Sequence, residues 1–480
     1  MMARELEQLS KPELIAIILR FECRLNELEA EVTALRKRNA ELEVEVARLL
    51  KNSSNSSKPP SSDIVKPPKP RPLSGRKKRR IGGQPGHPRH ERVAFPPEQI
   101  DAIRTYKLDR CPDCGGRLKR LSQEDRVIQQ VEIIRAPVTV TEHRAHAYFC
   151  THCGKTHNAA LPAPVAKGGL IGPNLTVIVA YLKGVCHASF STIRKFLRDV
   201  IRVTVSRGQL AKLIGKVSAA LCGPYQDLLD RLPHQDRLNV DETGHKDNGK
   251  AWWTWCFRAE LFTLFKIDSS RGSDVLLAVL GKEFDGVLGC DYFSAYRKYM
   301  ADFGIVVQFC LAHLIREVKF LRTLPDRMTR SYAQRLLDAL SKMFRIIHRR
   351  DEMTPERFAR ALEQARQTVL KVGQCAPARR EARNLAKRFR QHGIAYFQFI
   401  TTPGVEPTNN LAEQAIRFVV IDRRITQGTR SKTGRQWSER IWTTIATLTQ
   451  QGRSILTYLR QAVQAHLNNQ PAPELLPAGP

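Results

Sequence analysis

From Leu14 onward, apolar residues recur at alternating steps of four and three. Leu14, Phe21, Leu28, Leu35, Leu42 and Leu49 hold one heptad position, and Ile18, Leu25, Val32, Asn39 and Val46 hold the other. A seven-residue repeat kept without a slip predicts a left-handed coiled coil. Leu at one position, β-branched residues and a single polar Asn39 at the other favour a parallel dimer. Residues 1–51 are therefore expected to be a dimerisation helix. The periodicity then stops. Ser, Pro and Gly dominate residues 52–92, which read as a disordered basic tether. A β-rich stretch with cysteine pairs occupies residues 93–165, and helical spacing returns over 166–232.

Within that helical region Ile193, Phe196, Leu197 and Val200 make one apolar face. Ser206 and Gln209 form a capping box that opens a second helix carrying Leu210, Leu213, Ile214, Val217 and Leu221. Two short helices joined by a tight turn, with Arg207, Lys212 and Lys216 facing out, fit a helix-turn-helix and an ordinary helical hairpin equally well. From residue 237 the pattern changes to strands. "RLNVDE", "AWWTWCFRAE" and "LFTLFKID" follow one another closely, as an antiparallel meander does. A short helix, "SDVLLAVLG", leads to a fourth, buried strand in "GVLGCDYF". Residues 325–398 are rich in Arg, Leu and Ala at helical spacing and predict an inserted helical domain.

Composition then narrows the function. A chain of 480 residues makes about two to four domains the natural expectation. A net charge of +31 and a pI near 10.1 attract polyanions, so double-stranded DNA is the leading partner. Residues 58–80 hold nine Lys/Arg against one acid, a run that suits a solvated linker and a phosphate track alike. No apolar stretch is expected to approach the ~20 residues of a membrane helix, and the start lacks the apolar core of a signal peptide. Of eleven cysteines, four fall into CxxC pairs; the other seven are scattered. That usage suits a reducing cytoplasm.

The pairs are Cys111-Pro-Asp-Cys114-Gly and Cys150-Thr-His-Cys153-Gly. Each puts two thiolates on a tight turn. Joined through a β-rich segment, they bring four sulfurs to a tetrahedral, structural Zn²⁺ with no open coordination position. A different chemistry is signalled where strands end in acids. Asp241 and Asp291 both leave the ends of apolar runs, and their carboxylates converge if the fourth strand lies beside the first. Converging acids hold the pair of Mg²⁺ ions (or Mn²⁺) that phosphodiester chemistry uses. Glu413, in the first turn of a helix opened by Pro407 and the Asn pair, suits a third ligand. Asn410 to Glu413 is equally capping-box spacing, and Arg417 stands at i+4 from Glu413.

The chain resembles insertion sequence 66 family transposases. The resemblance rests on the zipper-like start, "NSSNSSKPPSSD", "GGQPGH" at 82–87, the zinc-binding pairs, "VDET" at 240–243, "DYFSAY" at 291–296, "CLAH" at 310–313 and "PTNNLAEQAIR" at 407–417. It implies a multidomain α+β protein: coiled coil, zinc-ribbon DNA-binding domain, helical region, and a ribonuclease H-like catalytic core in two parts, 233–324 and 399–480, flanking the insertion. It implies a DDE transposase whose catalytic triad is Asp241, Asp291 and Glu413. It also implies binding of terminal inverted repeats, and suggests small companion proteins from the same element. Rival readings are an inactive transposase-derived DNA-binding protein and a ribonuclease H-like nuclease.

Smaller expectations follow. Glu242 is expected on the opposite side of its strand from Asp241. His245 and Asp247 are expected in a solvated hairpin loop. Asp285 is expected at the opposite strand edge from Asp291. Cys310 and His313 match a family C-x-x-H motif and are read as buried support of the core. Arg417, Arg423, Arg424, Arg430, Lys432 and Arg435, near the triad helix, are expected to contact DNA, as are Arg207 and Lys212. The cluster Arg379, Arg380, Arg383, Lys387, Arg388 and Arg390 is either a second DNA surface or a solvated helix face.

Overall fold

The computed structural model describes residues 10–52, 55, 95–103, 113, 117, 129, 138–150 and 155–477. Nearly all of the predicted tether, together with Cys111, Cys114 and Cys153, falls outside them.

Helix α1 (Lys11–Leu49) starts where the Ser10 N–H donates to the Glu13 carboxylate at 2.8 Å. The seam residues stay exposed along it, Phe21 at 72% and Leu35 at 61%. Burial comes instead at Val44 and Ala47, which lie off the seam, where the last turns meet the rest of the chain. There Arg48 pairs with Glu381 at 2.8 Å, and the Lys51 ammonium sits 3.9 Å from the centre of the Phe320 ring. The helix is thus anchored by one face and leaves its apolar seam open.

Strands β1 (Ala147–Cys150) and β2 (Lys155–Asn158) form an antiparallel pair, with Cys150 ending β1. The helices that follow are α2 (Ala163–Gly168), α3 (Pro173–Gly184), α4 (Phe190–Phe196), α5 (Arg207–Ala220) and α6 (Cys222–Arg231). Contrary to expectation, one stretch, Ala163–Gly184, is long and apolar enough to cross a membrane. It is broken at Gly169, whose φ of +67° ends α2, and α3 turns Thr176, Val177, Val179 and Ala180 into the core. The expected tight turn between α4 and α5 is also corrected. A π-helical turn, Leu197–Ile201, closed by Arg202 at φ 66°, makes the link longer. Ser206 does cap α5, accepting from the Gln209 N–H at 3.1 Å. Lys216 does not face away from the protein: its ammonium donates to the carbonyls of Lys167 and Gly168, satisfying the open end of α2.

The sheet is built from β3 (Arg237–Asp247), β4 (Lys250–Arg258), β5 (Thr263–Asp268), β6 (Val287–Cys290) and β7 (Val307–Phe309), in the order β5-β4-β3-β6-β7. The first three strands form the antiparallel meander the alternation predicts. Helix α7 (Ser273–Leu280) carries the chain across to β6, which runs parallel to β3. Helix α8 (Ser294–Phe303) leads to β7, parallel to β6, and α9 (Leu311–Leu321) follows. Trp255, Phe257, Phe265, Leu288 and Phe309 fill the interior around this sheet.

The β3–β4 turn falls at Asn248-Gly249, φ 49° and 80°, the left-handed pair that matches strand twist. The hairpin therefore starts later than expected. His245 and Asp247 belong to β3 and are buried, correcting their placement in a solvated loop.

Helices α10 (Arg327–His348), α11 (Pro355–Gln374) and α12 (Arg380–His392) stand where the helical spacing places them. The short α13 (Gln398–Thr401) precedes α14 (Asn410–Thr426), α15 (Lys432–Gln450) and α16 (Ile455–Leu467). Helix α15 covers the edge strand β5 through three polar side chains one turn apart. Glu439 accepts from the Ile267 N–H (2.7 Å), Thr443 from Phe265 (3.0 Å) and Thr447 from Thr263 (3.2 Å). A buried helix and a sheet edge satisfy each other without a further strand. Helix α16 returns to pack on α3 and α5.

Candidate active site at the β3–β6 junction

Parallel pairing of β3 with β6 runs from Arg237↔Val287 to Asn239↔Gly289. Two residues beyond the last pair stand Asp241 and Asp291, so the register delivers both acids to the same end of the sheet. Burial, then the charges of Glu242, Asp291 and Glu413, pushes the Asp241 carboxyl well above the usual carboxylate range. Burial followed by Glu242 raises Asp291 to about 7. The Asp291 carboxylate also accepts from the Phe293 N–H at 2.9 Å, which fixes the turn after β6. Among the described residues, neither acid has a cation in an ion pair.

Glu242 and Glu413 are treated differently. The Arg271 guanidinium grips one Glu242 oxygen (Nε 3.0 Å, Nη2 2.7 Å), and the Tyr296 hydroxyl donates to the other. Arg271 is itself held between the rings of Trp253 and Phe293, 4.5 and 4.0 Å from their centres. Strand alternation does separate Glu242 from Asp241: their partners on β4 are Trp255 and Cys256. Yet Glu242, its side chain 2% exposed, remains close enough for its charge to raise both Asp241 and Asp291. Glu413 is 3.3 Å from Arg316 and 3.6 Å from His313. It turns toward α9, neither to Arg417 nor into a capping box.

What ties α14 to the sheet is Asn409, 1% exposed. Its side chain donates to the Val240 carbonyl at 2.8 Å and accepts from Asn239 Nδ2 at 3.0 Å, while its backbone N–H points at Cys310 Sγ, 3.1 Å away. One side chain thereby links the strand bearing Asp241, the C-x-x-H turn and the helix bearing Glu413. Gly289 makes room for this: a Cβ there would stand 2.6 Å from Asn239 Nδ2. Sequence reasoning missed Asn409, although an inward Asn in an apolar strand and an Asn doublet before a helix are the signals for it. Cys310 is buried, and its N–H donates to the Cys290 carbonyl at 2.8 Å. His313 is held neutral, its pKa lowered to about 3 by burial and then by Arg316.

The candidate DNA contacts divide. Arg417, Arg424, Arg430 and Lys432 are exposed, as are Arg207 and Lys212. Arg423 is half-buried and donates to Thr243 Oγ1 at 3.1 Å. Arg435 is corrected to an internal role: it pairs with Asp247 and lies 4.2 Å from the centre of the Trp252 ring. It helps hold the loop after α14, whose Thr429 bonds the Lys246 carbonyl and the Asp247 carboxylate. Arg388 is likewise internal, pairing with Glu317 at 2.7 Å and stacking on Tyr292. Arg380, Arg383, Lys387 and Arg390 remain as an exposed stripe on α12, spaced three, four and three apart.

Comparison with known proteins agrees with this layout. The model of the transposase IS66 family matches residues 168–437, more than half of the chain. The zinc-finger binding domain of transposase IS66 matches residues 109–154, which include all four CxxC cysteines and support a structural Zn²⁺. Residues 15–93 match a family of unknown function, DUF6444. An uncharacterized protein of Sinorhizobium fredii, y4qI, is 25% identical over 405 residues, covering 76% of this chain and 72% of its own length. On the match across residues 168–437, the chain belongs to the transposase IS66 family.

Proposed function

We propose that the protein cleaves DNA at the terminal inverted repeats of its own element and joins the freed 3′-ends to target DNA, using Asp241, Asp291 and Glu413. The observation that carries this reading is selective charge compensation. Glu242 and Glu413 have arginine partners, whereas Asp241 and Asp291 stand at adjacent strand ends, half-buried and raised, with no ion pair to either among the described residues. Crowding carboxylates that are partly withdrawn from water costs stability, and a hard divalent cation is what an all-oxygen set such as this accepts. Bound Mg²⁺ or Mn²⁺ would supply Lewis-acid polarisation of the scissile phosphate and activation of the attacking oxygen. Asp241 and Asp291 would hold the ions from the sheet, Glu413 would close the site from α14, and Asn409 would keep helix and sheet in register. The sheet order, an antiparallel meander followed by two parallel strands, supports a ribonuclease H-like core.

The remaining parts suit handling of two DNA ends. The α1 seam would pair two protomers, Cys111, Cys114, Cys150 and Cys153 would hold zinc in an end-recognising ribbon, and small proteins of the same element would assist. Exposed Arg417, Arg424, Arg430 and Lys432, with the α12 stripe, would supply salt-sensitive grip on phosphates in the cytoplasm, at the nucleoid. The test incubates purified protein and Mg²⁺ with a labelled duplex carrying the inverted repeats that flank its gene. Cleavage at the repeat end should fall by at least about 10³-fold in Asp291→Asn while binding persists. Binding without cleavage by the unaltered protein, with companion proteins added, would favour a transposase-derived DNA-binding protein instead.

A further inference from the structure

The C-x-x-H motif carries more than support of the core. Cys310 is the residue on which α9 begins, His313 lies one turn further along the same face, and Glu413 meets them from the first turn of α14. Among the described residues, these three make the one group whose sulfur, nitrogen and oxygen donors all lie within 4.8 Å of one another. His313, its side chain 12% exposed, has a buried Nδ1 with no hydrogen-bond partner. The Cys310 sulfur sits in a nest of backbone N–H groups: Asn409 at 3.1 Å, together with Ala312 and His313. Burial raises the Cys310 thiol above its ordinary value and these amides only partly offset that, so it is a bound cation that would draw off the proton and leave the thiolate by which cysteine binds metal.

We propose that Cys310, His313 and Glu413 form a site for a thiophilic divalent metal such as Zn²⁺, separate from the Cys₄ ribbon and sharing only Glu413 with the proposed Mg²⁺ site. The donor set decides the class. Mg²⁺ takes oxygen ligands and rejects a thiolate, whereas sulfur, imidazole and carboxylate together suit zinc or cobalt. Three protein ligands leave a fourth position open. Thiolate and carboxylate neutralise the dication. Arg316, 3.3 Å from Glu413 Oε1, then shifts to the second carboxylate oxygen. Resting on the proposed role of Glu413, the consequence is antagonism: zinc held here withdraws Glu413 from the magnesium set and arrests cleavage.

The test counts metal in the full chain, so it does not depend on activity. Cys111→Ser/Cys114→Ser disables the ribbon and leaves the new site untouched. After dialysis against Zn²⁺, this variant should retain one zinc per protomer, with a single sulfur among its ligands by X-ray absorption. Adding Cys310→Ser or His313→Ala should remove that zinc. Retention of none by the double variant, or a zinc without sulfur, overturns the proposal. Zinc titrated into the Mg²⁺-dependent cleavage reaction should inhibit the unaltered protein and lose at least about tenfold in potency against His313→Ala. A protein that binds this zinc yet cleaves no DNA would refute the catalytic reading and leave the metal site standing.

Discussion

Two regions of this molecule break the ordinary rule of burial in opposite ways. At the end of β3 and β6, charge is drawn away from water: Asp241 and Asp291 are half-buried at adjacent strand ends, with raised proton affinity. Along α1, apolar surface is exposed: Leu25, Leu28, Val32 and Leu35 face water in a row. Each departure costs free energy in an isolated chain, and under the proposed function each would be removed by a partner of definite chemistry, divalent cations in one case and a second copy of the helix in the other. The acids are over-determined by the fold, since register, Asn409 and α14 all fix them. The seam is fixed by nothing beyond the helix itself, so it is the part free to pair.

That contrast can be broken most forcefully at the helix. Leu28→Glu with Leu35→Glu places like charges across the seam. The dissociation constant of the dimer should rise by at least about 10³-fold, some 4 kcal/mol, as read by analytical ultracentrifugation. The melting of the rest of the chain should not move. A double variant that stays dimeric would show that the seam is not the interface.

A smaller effect sharpens the other side. Asn409→Ala strips partners from the Val240 carbonyl and the Asn239 amide, so chemical denaturation should show a loss of about 3 kcal/mol. Magnesium should then be needed at higher concentration, because the helix carrying Glu413 is no longer tied to Asp241. Unchanged stability would remove Asn409 from its role as the link.

An effect of similar size, spread over several pH units, follows from proton linkage. Asp291 is raised to about 7 in the folded chain from an ordinary value of 3.8. Its stabilising contribution is complete below the ordinary value and is lost as pH climbs through about 7. Metal-free protein should therefore lose on the order of 3 kcal/mol between pH 4.5 and pH 8 through this group, and Asp291→Asn should flatten the profile. Mg²⁺ should restore stability at pH 8 in the unaltered protein alone. A profile identical in Asp291→Asn would mean that the buried charge is compensated by other groups.

The acids were legible in the sequence because each ends an apolar run, a local signal. The meander and the insertion were legible for the same reason: alternation and helical spacing are properties of neighbours. What was not legible is long-range. Asn409 acts on Val240 and Asn239 from 169 and 170 residues away, and nothing in either segment names the other. His245 and Asp247 were misplaced because a polar run reads as a loop, while Thr429 and Arg435, far along the chain, bury it. Arg435 reads as a phosphate ligand, and Arg388 as that or as solvated helix surface, because an arginine's commitment to Asp247 or Glu317 appears only after folding.

The cover that α15 lays over β5 also has a schedule. Ile267 and Glu439, bonded in the finished protein, are 172 residues apart. At a synthesis rate of about 5–20 residues per second, the strand emerges from the ribosome roughly 10–30 s before its cover. For that interval the nascent sheet has an open edge, a template on which another strand can pair. A message cut short before α15 yields a chain with Asp241, Asp291 and Glu413 all translated and their sheet still unsealed. Completion of translation thus becomes a checkpoint on the enzyme's assembly.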